Sequence, residues 1–191
     1  MDIIEISYRF NLGGQRCEVF DLRLDANSLT LINESCSDLP EWTALDFHKC
    51  NHCPLNSETH PNCPVAVSLA NIIDRFDSVV SHDELDLEVI TKERLVSQHT
   101  TAQRGLSSML GLLIATSGCP HTDFLKPMAR FHLPLASEGE TVFRAAGMYL
   151  LAQYFRKKDG KESDDELAGL KQIYENLHLL NIMIAERLKS T

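Results

Sequence analysis

The sequence predicts an α+β fold, with an antiparallel sheet of about four strands packed against a mainly helical C-terminal half. Three observations carry that expectation. Apolar and polar residues alternate with period two near the N-terminus, apolar stripes of helical period begin at Pro64, and the composition suits one core. The chain has 191 residues, 43% hydrophobic and 24% charged, which is the balance of a globular domain with one sizeable core. A single domain over residues 1–191 is the economical division: a β-meander over 1–36, a Cys/His-rich loop over 37–64, and a mainly helical part over 65–191 with one further strand near 84–91.

In chain order, Ile4, Ile6, Tyr8 and Phe10 alternate with Glu5, Ser7 and Arg9, as in a half-buried strand. Gly13-Gly14 offers a turn, and Phe20, Leu22 and Leu24 alternate with Asp21 and Arg23 in a second strand. Asp25-Ala26-Asn27-Ser28 signals another turn before a short third strand, Leu29 to Ile32. Ser37 to Pro64 is irregular, and a stretch of that length is usually functional or anchored. Val65, Leu69, Ile72, Ile73, Phe76 and Val80 then share one helix face, with Pro64 suited to the first helical position. Leu85, Leu87 and Val89 alternate with Glu84, Asp86 and Glu88 in a fourth strand, whose carboxylates read as a solvent-facing edge before they read as a cation site.

The remaining elements are helical. Thr100 or Thr101 can cap a central helix running to Gly118, and Ser137 with Glu140 forms a capping-box signature for a helix through Lys158. Ser163-Asp164-Asp165-Glu166 repeats the signature ahead of a last helix to Leu188. In that helix Leu167, Leu170, Tyr174, Leu177, Asn181, Ile184 and Leu188 follow a heptad, so a homodimer through the C-terminal helix is one partner the seam could specify. Ile173, Leu180 and Met183 widen the stripe towards that of a helix packed within its own chain.

Charge narrows the partners. Asp and Glu outnumber Lys and Arg 27 to 18, a net charge of −9, which disfavours nucleic acid and anionic membrane. The expected partner is therefore a protein or a small-molecule ligand. MDIIEISYRF lacks the basic start of a secretory signal, and the charge-free run Gly105 to His121 is too short and polar to span a membrane. These features point to the cytoplasm, where cysteines serve as metal ligands or reduced thiols.

The chemically distinctive segment is FHKCNHCPLNSETHPNCP, Phe47 to Pro64, with three cysteines, three histidines and three prolines in eighteen residues. Cys50 and Cys53 form a C-x-x-C pair, which brings two thiolates to one ion. Cys63 precedes a helix N-terminus, where the free N–H groups favour a thiolate. Cys119 follows Gly118 at a helix end and is the expected fourth ligand. Cys53, Cys63 and Cys119 each precede proline, which holds the backbone extended and gives the thiol a defined direction. Zinc on Cys50, Cys53, Cys63 and Cys119 is the first expectation. An iron–sulfur cluster and no metal, with reduced buried thiols, are the alternatives. His52, His60 or His121 could replace a thiolate, and Cys17 and Cys36 are expected to be packed.

No phosphate loop, H-E-x-x-H or G-x-S-x-G elbow is present, so no catalytic residue is assigned. The different-class alternative is a thiol- or metal-dependent enzyme using Cys119, His121 and His132, with Asp123 nearby and Lys126 and Arg130 available to an anion. The favoured reading is a non-enzymatic binding or regulatory module stabilised by a Cys-rich metal site. The segments C-x-x-C-P-L, C-P and S-G-C-P-H, followed by K-P-M-A-R-F-H-L-P, resemble a family of uncharacterised bacterial cytoplasmic proteins, a domain of unknown function, from Trp42 onward. The resemblance implies a bacterial cytoplasmic protein and carries no activity.

Overall fold

The N-terminal alternation becomes two paired strands, β1 (Ile3–Asn11) and β2 (Cys17–Asp25), with Ile6, Tyr8, Phe10, Phe20, Leu22 and Leu24 all buried. These and the following details come from a computed structural model that describes residues 2–13, 16–32, 39–76 and 82–190. Gly13, at φ +81, turns the hairpin in the left-handed region that glycine enters without steric cost. The strand expected near 84–91 is β3 (Glu84–Thr91), which pairs antiparallel with β1 and buries Leu85, Leu87 and Val89.

The short strand expected at Leu29 to Ile32 does not form, and a strand the sequence did not suggest takes its place in the sheet. Leu29 to Ile32 contributes one bridge, Leu31 to Leu24, because Leu29 sits at φ +54 and breaks the extended run. Instead β4 (Leu95–Thr101) pairs with β3, giving an antiparallel sheet of order β2-β1-β3-β4. Of its seven residues only Thr100 is buried, so this edge strand carries no alternation to read. β3 is consequently internal, and its carboxylates lie on the outer face, where His99 on β4 meets Asp86 at 2.8 Å.

Helices cover the inner face. α1 (Pro64–Phe76) starts on its proline and buries Val65, Leu69, Ile72 and Phe76, while Val80 lies outside the described residues. α2 (Ala102–Thr116) is capped by Thr101, whose side chain accepts from the Arg104 N–H, and crosses the sheet at Gly105. A β-carbon there would stand 3.1 Å from the Phe10 ring, so the helix approaches β1 as closely as glycine allows. The connection to the next long helix is more ordered than expected, with a 3-10 turn over Pro120–Leu125 and a short α3 (Lys126–Arg130). α4 (Glu138–Lys158) opens on the full capping box of Ser137 and Glu140.

The last helix, α5 (Ala168–Lys189), begins later than the sequence signature. Leu167 is at φ +62 and so outside the helix, and the Asp164 carboxylate accepts from Gly169 N (2.7 Å) and from the Tyr149 hydroxyl (2.8 Å). Asp164 therefore caps α5 from five residues upstream and ties it to α4. Leu177, Leu180, Ile184 and Arg187 are buried along α5, so Leu177 and Ile184 of the heptad pack inside their own chain.

Arg187 is the least expected member of that face. It is 1% exposed and donates to the backbone carbonyls of Trp42 (2.8 Å), Ala44 (2.7 Å) and Leu45 (2.9 Å). Replacement by methionine keeps the apolar stem and leaves three carbonyls without their donor. We expect Arg187→Met to lower the unfolding free energy by about 3 kcal/mol or more in urea titrations. Arg187→Lys should recover only part of it, because an ammonium cannot fork across three acceptors.

Candidate functional site

The Cys-rich loop is folded against a two-stranded scaffold. Residues 43–45 run antiparallel to 61–63: Leu45 N donates to Pro61 O (2.8 Å), Cys63 N donates to Thr43 O (2.8 Å), and Ala44 bridges Asn62. This places Cys63 at the start of α1, where its carbonyl accepts from Val67 N at 3.0 Å. Between these runs, Cys53 N donates to Cys50 O (3.0 Å) and Lys49 Nζ to Leu55 O (2.7 Å), closing the C-x-x-C turn.

Cys119 arrives from the other side of the molecule. α2 ends at Thr116, Gly118 takes φ +89, and Cys119 N donates to the Ser117 hydroxyl at 3.2 Å. The left-handed glycine turns the chain so that Cys119 is buried beside the loop. Burial pushes the Cys119 thiol up to about 12, a His121 backbone N–H opposes the rise, and Cys63, Cys53 and Cys50 add to it. Cys50 is likewise raised, by burial first and then by Cys63 and Cys53, while the Arg187 guanidinium acts in the opposite sense. The four cysteines expected to act together thus share one electrostatic neighbourhood. They do not close into a ligand cage: among the described residues no group of three or more His, Cys, Asp or Glu side chains is set to hold a metal ion. Cys17 departs from expectation. It is exposed at the start of β2, and Cys36 lies outside the described residues.

Two histidines flank the thiols. The His52 and His121 rings lie 4.3 Å apart, and His121 Nε2 bonds the His52 carbonyl at 2.9 Å. His52 is held below its ordinary value by burial and by His121, against a hydrogen bond to the Asn176 backbone. Its Nε2 is buried without a hydrogen-bond partner among the described residues. Arg187 Nε is the other buried atom in that condition. His60 bonds only locally, through Nδ1 to the Thr59 hydroxyl at 2.9 Å.

His132, grouped with Cys119 and His121 in the sequence, belongs to a different environment. Its Nε2 hydrogen-bonds the Tyr8 hydroxyl, which also lies 3.2 Å from Ser108 Oγ. His132 lines a cavity of about 480 Å³ between α2, the 125–136 segment, the start of α4, and α5. Leu112, Leu125, Met128 and Leu133 supply apolar walls, and Arg104 and Arg144 enter among them. Each arginine is braced by backbone. Arg104 Nη2 donates to Leu135 O (3.3 Å), and Arg144 Nη2 donates to Met128 O (3.0 Å) and Phe131 O (2.7 Å). Arg144 is held below its ordinary value by burial, partly countered by Glu140. This cavity was not legible beforehand, because Arg104, Arg144 and Tyr8 are far apart in the chain. Of the two basic residues expected to be available to an anion, Lys126 pairs with Asp123 at 2.9 Å and Arg130 is exposed at the end of α3.

Comparison with known proteins places the chain in a family without assigning an activity. The family model for "Domain of unknown function (DUF6901)" matches residues 6–191, so the chain belongs to that family. No curated protein and no solved structure matches it.

Burial, and secondarily the Arg144 charge, hold His132 down to about 4 from its ordinary 6.5. The unfolded chain therefore binds more protons between those values, and the neutral buried ring contributes stability that is complete above pH 6.5 and lost as pH falls to about 4. The loss from this residue is about 3 kcal/mol. Urea midpoints at pH 7 and pH 4.5 should show a smaller acid loss for His132→Gln than for the parent, and equal losses would assign the effect elsewhere.

Proposed function

We propose that the protein is a non-enzymatic binding module. A zinc ion on Cys50, Cys53, Cys63 and Cys119 staples its long loop, and the cavity beside His132 receives a small molecule carrying a carboxylate on an apolar body. The observation that carries the binding role is the pair Arg104 and Arg144. Both guanidiniums line a largely apolar cavity of about 480 Å³, and among the described residues neither has a carboxylate at ion-pair distance. The partly desolvated Arg144 favours an anion over water, Arg104 adds a second positive charge at the cavity wall, and the apolar walls favour a ligand body over a bare ion. His132, kept neutral, and the hydroxyls of Ser107 and Tyr174 add polar contacts without a further charge.

Three features support the zinc. The four thiols repel one another's ionised forms, a cost that one shared cation removes. The His121 N–H donates to the Cys119 sulfur, as suits a thiolate. Arg187 lies near Cys50 without a carboxylate partner among the described residues, so a negatively charged tetrathiolate site would find its counter-charge already in position. Zinc would draw the sulfurs to about 2.3 Å from itself. His52 is the natural replacement ligand should one thiolate not reach, because its Nε2 is buried without a hydrogen-bond partner among the described residues. The work would be done in a bacterial cytoplasm, where the thiols stay reduced. Reactive-thiol chemistry fits less well, because a thiol raised to about 12 is not ionised at neutral pH.

The staple predicts about one zinc per chain in protein purified without oxygen, with iron and sulfide identifying a cluster instead. Cys50→Ser and Cys53→Ser should each lower the thermal midpoint by about 5 °C or more, and variants that melt like the parent would remove the staple. For the cavity, calorimetric titration should give saturable binding of octanoate, about tenfold weaker binding of octanol, and about a tenfold loss for octanoate on Arg104→Gln. Equal affinities for acid and alcohol would discard the carboxylate reading.

A further inference from the structure

Along α4 only Ala145, Tyr149 and Gln153 are buried, so the helix is held to its own chain by a narrow stripe. Another face carries large apolar groups into solvent: Phe143 is 79% exposed, Tyr154 59% and Leu150 43%. Phe143, Gly147, Leu150 and Tyr154 follow each other at spacings of four, three and four, a coiled-coil seam. Gly147 and Ala146 form the floor of a shallow hollow walled by Phe143 and Leu150. A β-carbon at Gly147 would meet nothing within 4 Å, so packing in this chain does not call for glycine there. Glycine inside a helix costs about 1 kcal/mol relative to alanine, and close approach by something outside the chain would account for it.

We infer that this face docks against the same face of a second copy of the chain, with the two α4 helices antiparallel. The charge pattern selects that partner. Glu138 and Glu140 occupy the first turn and Arg156, Lys157 and Lys158 the last, so antiparallel pairing sets acid against base at both ends, whereas parallel pairing sets like against like. The seam is also self-complementary. With the two-fold axis at the middle of the helix, Phe143 of one copy lies opposite Tyr154 of the other and Gly147 opposite Leu150, and Glu140 opposite Lys157 closes each end. Leucine thus fills the hollow that glycine leaves. The charges at the ends are free enough to turn outward. Glu140 uses Oε2 for its capping bonds to Ser137, which leaves Oε1, and Lys157 holds only an exposed contact with Asp165 at 3.4 Å. The inference does not depend on either the zinc or the cavity ligand.

Sedimentation equilibrium of the full chain tests it. We expect a dimer at about 100 µM that dissociates on dilution, about tenfold weaker association for Lys157→Glu, and a monomer for Leu150→Glu. Because neither side chain is buried in its own chain, the thermal midpoint of the monomer should stay within a few degrees of the parent's for both variants. Gly147→Leu should weaken the dimer while leaving the monomer folded. A parent protein that remains monomeric at about 100 µM, or a dimer indifferent to Leu150→Glu and Gly147→Leu, overturns the self-pairing and leaves the face to a different protein.

Discussion

A single buried guanidinium ties the last helix to the backbone that carries the cysteine loop. Arg187 stands near the end of the last helix, yet its donors end on carbonyls of Trp42, Ala44 and Leu45. Those carbonyls belong to the run that pairs with residues 61–63 and so positions Cys63 at the head of α1. Without Arg187 all three carbonyls would lose a donor, and Ala44 O would keep only its bond from Phe47 N at 3.2 Å, a cost that a stretch of irregular backbone could not offset. The position of α5, the course of the loop and the start of α1 are therefore one coupled arrangement.

Burial sets the electrostatics of the thiols, and the same cation acts on Cys50 in the opposite sense. Desolvation drives Cys50 and Cys119 towards the neutral form, and neighbouring sulfurs push further in that direction, while Arg187 pulls Cys50 back. Burial and the neighbouring sulfurs therefore both favour the neutral thiol at Cys50 and Cys119.

The cavity follows a different logic. Tyr8 comes from the central strand of the sheet, and its hydroxyl reaches His132 and Ser108, so one wall of the cavity is continuous with the core. The opposite wall is held by Arg144, which clamps the carbonyls of Met128 and Phe131. The Arg104 and Arg144 guanidiniums are thus each held by backbone carbonyls at the cavity wall, in surroundings unlike those of the cysteine site.

What the sequence determined by itself were the elements whose signal is local. Period-two alternation located β1, β2 and β3 because one face of each strand is buried. Pro64, Thr101 and the Ser137–Glu140 pair marked three helix starts because a cap is a bond between near neighbours. Gly118 announced the left-handed turn that follows α2 and precedes Cys119. The tertiary structure decided the rest. β4 has both faces largely in solvent and leaves no pattern, while Leu29 to Ile32 has the pattern and loses the strand to a left-handed leucine. Asp164 rather than Ser163 caps α5, because the carboxylate is held by Tyr149 from another helix. His132 parts from Cys119 and His121 because Tyr8, remote in the chain, gives it a partner in the core. Arg187 carries no local sign of its role at all. Its acceptors lie more than 140 residues away, and only the folded chain brings a charge and three carbonyls to the same place.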